Sequence, residues 1–139
     1  MRSKAPLALM EQMILLLVFA FAAAICMQAF VLSDKISAQC DARDNAVIAA
    51  QSAAEAIKYA SGDTEKAAEI LGAESKDGIL TAMYDENWNI TDNSGAYILT
   101  VRPEPAEISG LYKAEVCVND VNDSGDILFS LEVMWQGAK

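Results

Sequence analysis

The apolar segment over residues 13–32 contains no charged residue, no glycine and no proline, and its one strongly polar side chain is Gln28. An α-helix rises about 1.5 Å per residue, so 20 residues cover the roughly 30 Å of a bilayer core. A helix satisfies every backbone N–H and C=O group inside lipid. The pattern therefore predicts a transmembrane helix over 13–32, preceded by a leader or cytoplasmic flank over 1–12 that carries Glu11.

The helical pattern continues past this segment, because no glycine or proline occurs between Leu7 and Ala60 and alanine is frequent there. Apolar residues recur at spacings of three and four, which is typical of an amphipathic helix. We therefore predict an amphipathic extension over 33–62, ending at Gly62, which gives one helix of roughly 50 residues. The apolar stripe along the helix consists of Leu32, Ile36, Cys40, Val47, Ala50, Ala54 and Ile57.

A short second helix is predicted over 64–71, with Asp63 as its N-terminal cap and Gly72 as its stop. The following residues, 73–78, are predicted to form a polar link. From there the period changes to two, which indicates antiparallel strands with one buried and one solvated face. The predicted strands are 79–84, 88–91, 96–102, 111–119 and 127–135.

Alternation assigns the faces of these strands, and Pro103 and Pro105 are expected to end the third one. Trp88 and Trp135 are expected to complete the core. Because the inward face needs a cover, we expect the upper half of the long helix to pack across the sheet, which gives an α+β fold. The predicted inward positions of the last three strands are Tyr97, Leu99 and Val101; Tyr112, Ala114, Val116 and Val118; and Ile127, Phe129, Leu131, Val133 and Trp135.

The chain is acidic, with 10 Lys+Arg against 20 Asp+Glu. Arg2, Lys4 and Glu11 precede residue 33, so the remainder has eight basic and 19 acidic side chains, a net charge of −11. Such a surface repels nucleic acid and anionic lipid, so neither is an expected partner. The basic N-terminal flank places the N-terminus in the cytoplasm and the head, 63–139, outside the cell membrane. The apolar run exceeds the roughly 7–15 residues of a cleaved signal, which favours a retained anchor.

The three cysteines do not form a disulfide framework. Cys26 lies in the apolar segment, whereas Cys40 and Cys117 either pair in an oxidising compartment or remain free thiols. The sequence contains no histidine, which excludes histidine-based catalysis and most zinc and haem sites.

The loop before the last strand fits the first half of a calcium loop, with Asp120, Asn122, Ser124 and Asp126 as oxygen ligands. The twelfth position, which requires a bidentate acid, is Leu131. A plain hairpin loop rich in turn residues explains the same pattern, so metal binding stays an alternative.

Catalysis is not expected, because nothing in the sequence brings two carboxylates together in a cleft. No glycine-rich phosphate loop or nucleophile elbow is present. We predict a protein that is not an enzyme and carries no cofactor. The acidic residues considered for an acid/base pair are Asp85, Glu86, Glu104 and Glu107.

The order of elements resembles type IV pilins and the pseudopilins of type II secretion and competence systems. The local match is KAPLALMEQMILLLVFAFAAAI, with Glu11 in the place of the family's N-terminal glutamate. The whole chain matches in element order, and about the first 30 residues match as a loose motif.

The resemblance implies that a prepilin peptidase removes the leader, usually after glycine, and leaves the glutamate as the fifth residue. Counting back from Glu11 makes Leu7 the first residue and Pro6 the residue before the cut. Cutting after Ala5 instead would put Pro6 first. The sequence departs from the family at this candidate processing site.

In the family the glutamate meets the N-terminal amine of a neighbouring subunit as helices stack; alternatively, Glu11 only marks the membrane boundary. Helix packing in lipid uses small residues, and Gln28 adds an interhelical hydrogen bond. The predicted function is a minor pilin or pseudopilin-like filament subunit, whose partners are other pilin or pseudopilin subunits. The alternative is a signal-anchored, single-pass extracytoplasmic binding module that does not polymerise. The small residues are Ala20, Ala22, Ala23 and Ala24.

Overall fold

The computed structural model describes residues 5–92, 94–122 and 126–137. Over these residues the strands form an antiparallel sheet whose strand order is the order along the chain. This arrangement confirms the predicted α+β fold class, with a long N-terminal helix and a small antiparallel sheet. The elements are α1 (Ala5–Tyr59), α2 (Thr64–Leu71), β1 (Glu74–Lys76), β2 (Ile79–Tyr84), β3 (Tyr97–Glu104), β4 (Leu111–Asp120) and β5 (Ile127–Gln136).

The chain divides into two compact units, Met1–Cys40 and Asp41–Lys139. In the first unit the described residues all belong to α1 and are exposed. Within the described part of the chain, α1 is the one helix long and apolar enough to cross a membrane by length and composition. This finding agrees with the predicted membrane anchor as far as length and composition go.

In the second unit, the alanine-rich C-terminal part of α1 covers one face of the sheet, as predicted. Alanine suits this position because its small side chain lets the helix backbone approach the strands closely. The fully buried side chains opposite the helix are large aliphatic residues on the three central strands, so the core lies between the two layers. The buried helix residues are Ala46, Ala49, Ala50, Ala53, Ala54, Ala56 and Ile57, and those of the strands include Leu80, Leu99, Val101, Val116 and Val118.

The predicted caps of α2 are confirmed. The Asp63 carboxylate accepts hydrogen bonds from the backbone N–H groups of Glu65 and Lys66, at 3.1 and 3.2 Å. The bond from Lys66 is the main cause that lowers the pKa of Asp63. Gly72 ends the helix in the left-handed conformation, with φ of 68°.

The prediction of a polar link over 73–78 is wrong, because Glu74–Lys76 pairs antiparallel with β2. Asp77 and Gly78 connect the two strands with φ values of 54° and 78°. Two residues with positive φ give a turn whose twist matches that of the flanking strands. The Asp-Gly pair is a sequence signal for such a hairpin turn. The strand before it was missed because its side chains are polar and show no apolar alternation.

The prediction of a strand over 88–91 is also wrong. The Asp85 carboxylate accepts hydrogen bonds from the backbone N–H groups of Asn87 and Asn89, at 2.8 and 2.9 Å, and so curls the chain into a loop. Trp88 takes a positive φ of 62° within this loop. Ile90 then makes an isolated bridge to Tyr84.

β3 does not end before Pro103, as predicted, but continues through it to Glu104. Pro103 pairs with Ala114 of β4, whereas the pairing of β3 with β2 ends at Val101. The missing N–H of Pro103 therefore lies where β3 has a neighbour on one side only, which is the position proline tolerates in a sheet.

The predicted inward positions are confirmed except at Tyr112, which is 53% exposed, and at Ile127. The register of β4 with β5 shifts between Val118 and Asn119, so Val118 pairs with Phe129 and Asn119 pairs with Ile127. The extra residue, Leu128, packs against the core, and Ile127 turns to the solvated face at 63% exposure. A one-residue bulge reverses which face the following side chain occupies.

Candidate functional site

The candidate processing residues Ala5, Pro6 and Leu7 form the first turn of α1. Proline is tolerated in this turn because the first N–H groups of a helix have no intrahelical partner. Glu11 follows on the same helix and is exposed. Cleavage in this turn stays a prediction.

The predicted packing residues of α1 divide over different faces of the helix. At 100° per residue, Ala20, Ala24 and Gln28 follow one another at spacings of four and share a face. Ala22 lies on another face, eleven residues or about three turns after Glu11. All of these side chains, with that of Ala23, are exposed. The helix therefore offers small or polar groups to neighbours on two sides.

Between residues 13 and 32, the surface of α1 is apolar around its whole circumference. Its exposed side chains include Ile14, Leu15, Leu16 and Leu17, which follow one another at about 100° and so point to all sides of the axis. A helix of this kind is normally buried in a membrane or among other apolar helices. The chemistry available here is lateral association of helices.

The acids considered for catalysis lie at opposite ends of β3. Asp85 and Glu86 precede this strand, in the loop from β2, whereas Glu104 and Glu107 lie at its far end. The backbone hydrogen bond from Asn89 is the main cause that lowers the pKa of Asp85. This carboxylate is therefore held ionised as a hydrogen-bond acceptor for its loop.

Glu104 belongs to an ion-pair triad that the residue pattern did not reveal. The ammonium group of Lys113 lies 3.1 Å from a carboxylate oxygen of Glu104 and 3.0 Å from one of Glu132. The hydrogen bond to Glu132, followed by that to Glu104, raises the pKa of Lys113. The three residues lie on adjacent strands, so the register of pairing was the missing information.

Of the calcium candidates, Ser124 lies outside the described residues. The Asp120 carboxylate accepts a hydrogen bond from the N–H of Asn122 at 2.8 Å, and the Asp120 N–H donates to the Asp126 carbonyl at 3.0 Å. Both contacts are those of a hairpin loop. Among the described residues no group of three or more His, Cys, Asp or Glu is placed to hold a metal ion. Calcium binding stays an untested alternative.

The two tryptophans pack against the core, as predicted. Trp88 stacks on Tyr97, with ring centroids 4.3 Å apart and an interplanar angle of 13°. Burial is the main cause that raises the pKa of Tyr97, and the negative charges of Asp120 and Glu86 add to it. Trp135 stacks on Tyr112 at 6.1 Å.

All three cysteines are free in the structure. Cys26 and Cys40 are exposed on α1, and Cys117 is half-buried on β4. Burial, followed by the charge of Glu115, raises the pKa of the Cys117 thiol. Because the thiolate is the reactive form, Cys117 is a poor nucleophile at neutral pH.

Comparisons of the chain with protein-family models, with curated protein sequences and with solved structures find no match. The architecture is therefore the finding that bears on function. A long apolar N-terminal helix continues into the layer that covers a small antiparallel sheet, and this is a pilin-like architecture.

Proposed function

We propose that this protein is a non-catalytic structural subunit, a minor pilin or pseudopilin-like protein of a type IV pilus, type II secretion or competence filament. The observation that carries the proposal is the difference in surface character between the two parts of α1. One part of this helix is apolar on all sides and exposed, and the other part supplies the alanine face of the core. A helix built this way serves both as a membrane anchor and as a layer of a folded domain.

The proposed location is the cell membrane, with the N-terminus in the cytoplasm and the sheet outside. The span over 13–32 supports a single pass. The basic residues Arg2 and Lys4 support this orientation, because positive flanks remain on the cytoplasmic side.

The proposed assembly mechanism uses the faces of α1 separately. A filament needs two different contact surfaces on each subunit, because a single self-complementary surface closes into a dimer. The face of Ala20, Ala24 and Gln28 would meet one neighbour through close backbone approach and a hydrogen bond. Glu11 would pair on another face with the N-terminal amine of a second neighbour, since a carboxylate at the bilayer edge is expensive unless paired.

The deciding experiment replaces Glu11 by alanine in the full chain, co-expressed with the components of a pilus or secretion-filament system. We expect Glu11→Ala to insert into the membrane normally and to be lost from the sheared filament fraction. The matched control is Asp34→Ala, which also removes an exposed acid of α1, near the other end of the span. Equal recovery of both variants in filaments would contradict the assembly role of Glu11.

Processing is tested separately by the mass of the N-terminal peptide, with and without a co-expressed prepilin peptidase. A new terminus at Pro6 or Leu7 would support entry into the pilin pathway. An unchanged terminus, combined with absence of the native chain from the filament fraction, would favour the anchored binding module. The compact unit Asp41–Lys139, which has its own core, is the observation that supports this alternative.

A further inference from the structure

The outer edge of β5 is the most open backbone surface of the sheet. In the strand order, β5 is the last strand and has β4 as its neighbour on one side. It is ten residues long, whereas β1 at the opposite edge has three. An edge strand presents a row of N–H and C=O groups that can pair with another strand.

β5 lacks the features that usually prevent such pairing. Its sequence, ILFSLEVMWQ, contains no proline and no Lys or Arg, and its one charged residue is Glu132. The bulge at Leu128 lies near its first residue, and pairing is regular from Phe129 to Gln136. Natural edges are commonly protected by lysine, proline, bulges or a short length. Within the described part of the chain, no strand pairs with this edge over these eight consecutive residues.

The inner face of β5 would gain from an additional strand. Phe129, Leu131 and Trp135 pack against the core but stay half-buried, in contrast to Val133, which is buried. Apolar residues on an added strand would cover their remaining exposed surface, since cross-strand neighbours on one face lie about 5 Å apart.

The outer face of the same strand shows which charge the added strand should carry. Arg102, Glu115 and Glu132 lie directly opposite one another across β3, β4 and β5. Like charges opposite one another are unfavourable, and the Glu132 side chain is 60% exposed. Lys113 reaches Glu132, but it is shared with Glu104. A cation on the open side of Glu132 would balance this row of charges.

We propose that the β5 edge binds an extended segment of a partner protein that alternates apolar residues with basic ones and places Lys or Arg opposite Glu132. The proposal rests on the sheet edge and does not depend on filament assembly. A second copy of this chain is a poorer occupant, because β5 has no basic residue and residues 33–139 carry a net charge of −11.

The test uses the full chain in micelles of a neutral detergent and a fluorescein-labelled peptide of the same ten-residue length as β5. In the peptide, valine alternates with lysine and threonine, and a second peptide has glutamate in place of lysine. We expect the basic peptide to bind and Glu132→Lys to weaken it about tenfold, which corresponds to about 1.4 kcal/mol. The acidic peptide should bind Glu132→Lys better than the native chain.

The matched control is Glu69→Lys, which makes the same change in net charge on the exposed face of α2. We expect its affinity for the basic peptide to stay within about threefold of native. Lys113 keeps Glu104 as a partner in Glu132→Lys, so this variant should fold, and circular dichroism checks both variants. An equal loss in both variants would reduce the effect to net charge and overturn the proposal, as would no binding at all.

Hydrogen exchange then distinguishes strand addition from surface adsorption. With the basic peptide bound, we expect slower amide exchange in the β5 residues and no change in α2. Binding without added protection of β5 would overturn the proposal. Protection of the β5 outer edge in the absence of peptide would do so as well, because it would show that a second copy already occupies the edge.

Discussion

The indole ring of Trp135 lies directly against Gly62, so that a Cβ atom added to Gly62 would fall 2.8 Å from Cζ2 of the indole. Gly62 follows the end of α1 and has a φ of 89°. Its N–H donates to the carbonyl of Ile57 at 2.9 Å, and Ser61 takes the left-handed conformation beside it. The last strand of the sheet therefore contacts the turn that ends the long helix.

Gly62→Ala should lower the free energy of unfolding by about 2–3 kcal/mol, because it combines a left-handed backbone with a close contact to the indole. Gly72→Ala is the matched control, since Gly72 has a φ of 68° but no atom within 4 Å of an added Cβ. It should cost about 1 kcal/mol. Urea unfolding of the full chain in detergent, followed by tryptophan fluorescence, compares the two. Equal losses of stability in the two variants would show that the contact with Trp135 does not contribute to the effect of Gly62→Ala.

The bulge at Leu128 is tested by truncating two neighbouring residues. Leu128→Ala should cost about 2 kcal/mol, because Leu128 packs against the core. Ile127→Ala should cost less than about 0.5 kcal/mol, because Ile127 is exposed on the outer face. Urea unfolding, as above, compares the losses of stability in the two variants. The reverse order would mean that β5 pairs without a bulge.

The loop that holds Trp88 should lose stability in acid. The pKa of Asp85 is lowered in the folded protein, chiefly by the hydrogen bond from the Asn89 backbone. Its contribution is therefore fully present above its ordinary pKa of about 3.9 and is lost as the pH falls through the lowered folded value. Asp85→Ala should be less stable than the native chain at neutral pH, and this difference should shrink below about pH 4.

Thermal melting across this pH range measures the Asp85 effect, with Asp92→Ala as the control for loss of a nearby acid. A stability difference that stays constant down to about pH 2 would show that the carboxylate does not act through its charged form.

Gln28 should contribute to helix association within the membrane. Replacing it by leucine removes the polar group while keeping the helix apolar, and it should weaken association by about 0.6 kcal/mol, or roughly threefold. Energy transfer between labelled full-length chains in lipid vesicles measures this change. Phe30→Leu alters an apolar residue of the same segment and should have a smaller effect. Unchanged association of Gln28→Leu would remove Gln28 from the proposed contact.

The helices and most strands could be predicted because their signals are local. The 3.6-residue period and the absence of glycine define α1, and Asp63 and Gly72 define α2. The errors arose where pairing or backbone geometry overrides the residue pattern. Pro103 is tolerated because the pairing of β3 with β2 ends at Val101. Ile127 is turned outward by a bulge that the pattern of side chains does not predict.

The candidate sites were less accessible to sequence reasoning, because they depend on what lies opposite each residue. The Lys113 triad requires the register of three strands, and the open edge of β5 requires the order of all strands. The proposed role of Glu11 involves another subunit, so a single chain shows only its place on α1 and its exposure.

The order of strands in the sheet also governs how the protein can fold during its synthesis. Each strand pairs with the one that precedes it, so the sheet can grow in the direction of synthesis through local hairpins, which favours rapid folding. The helix face over 46–60 is synthesised before the strands, so it stays partly uncovered until Val116 and Val118 of β4 have been synthesised. This uncovered helix face consists mostly of alanine, and its small apolar area limits aggregation until the strands have been synthesised.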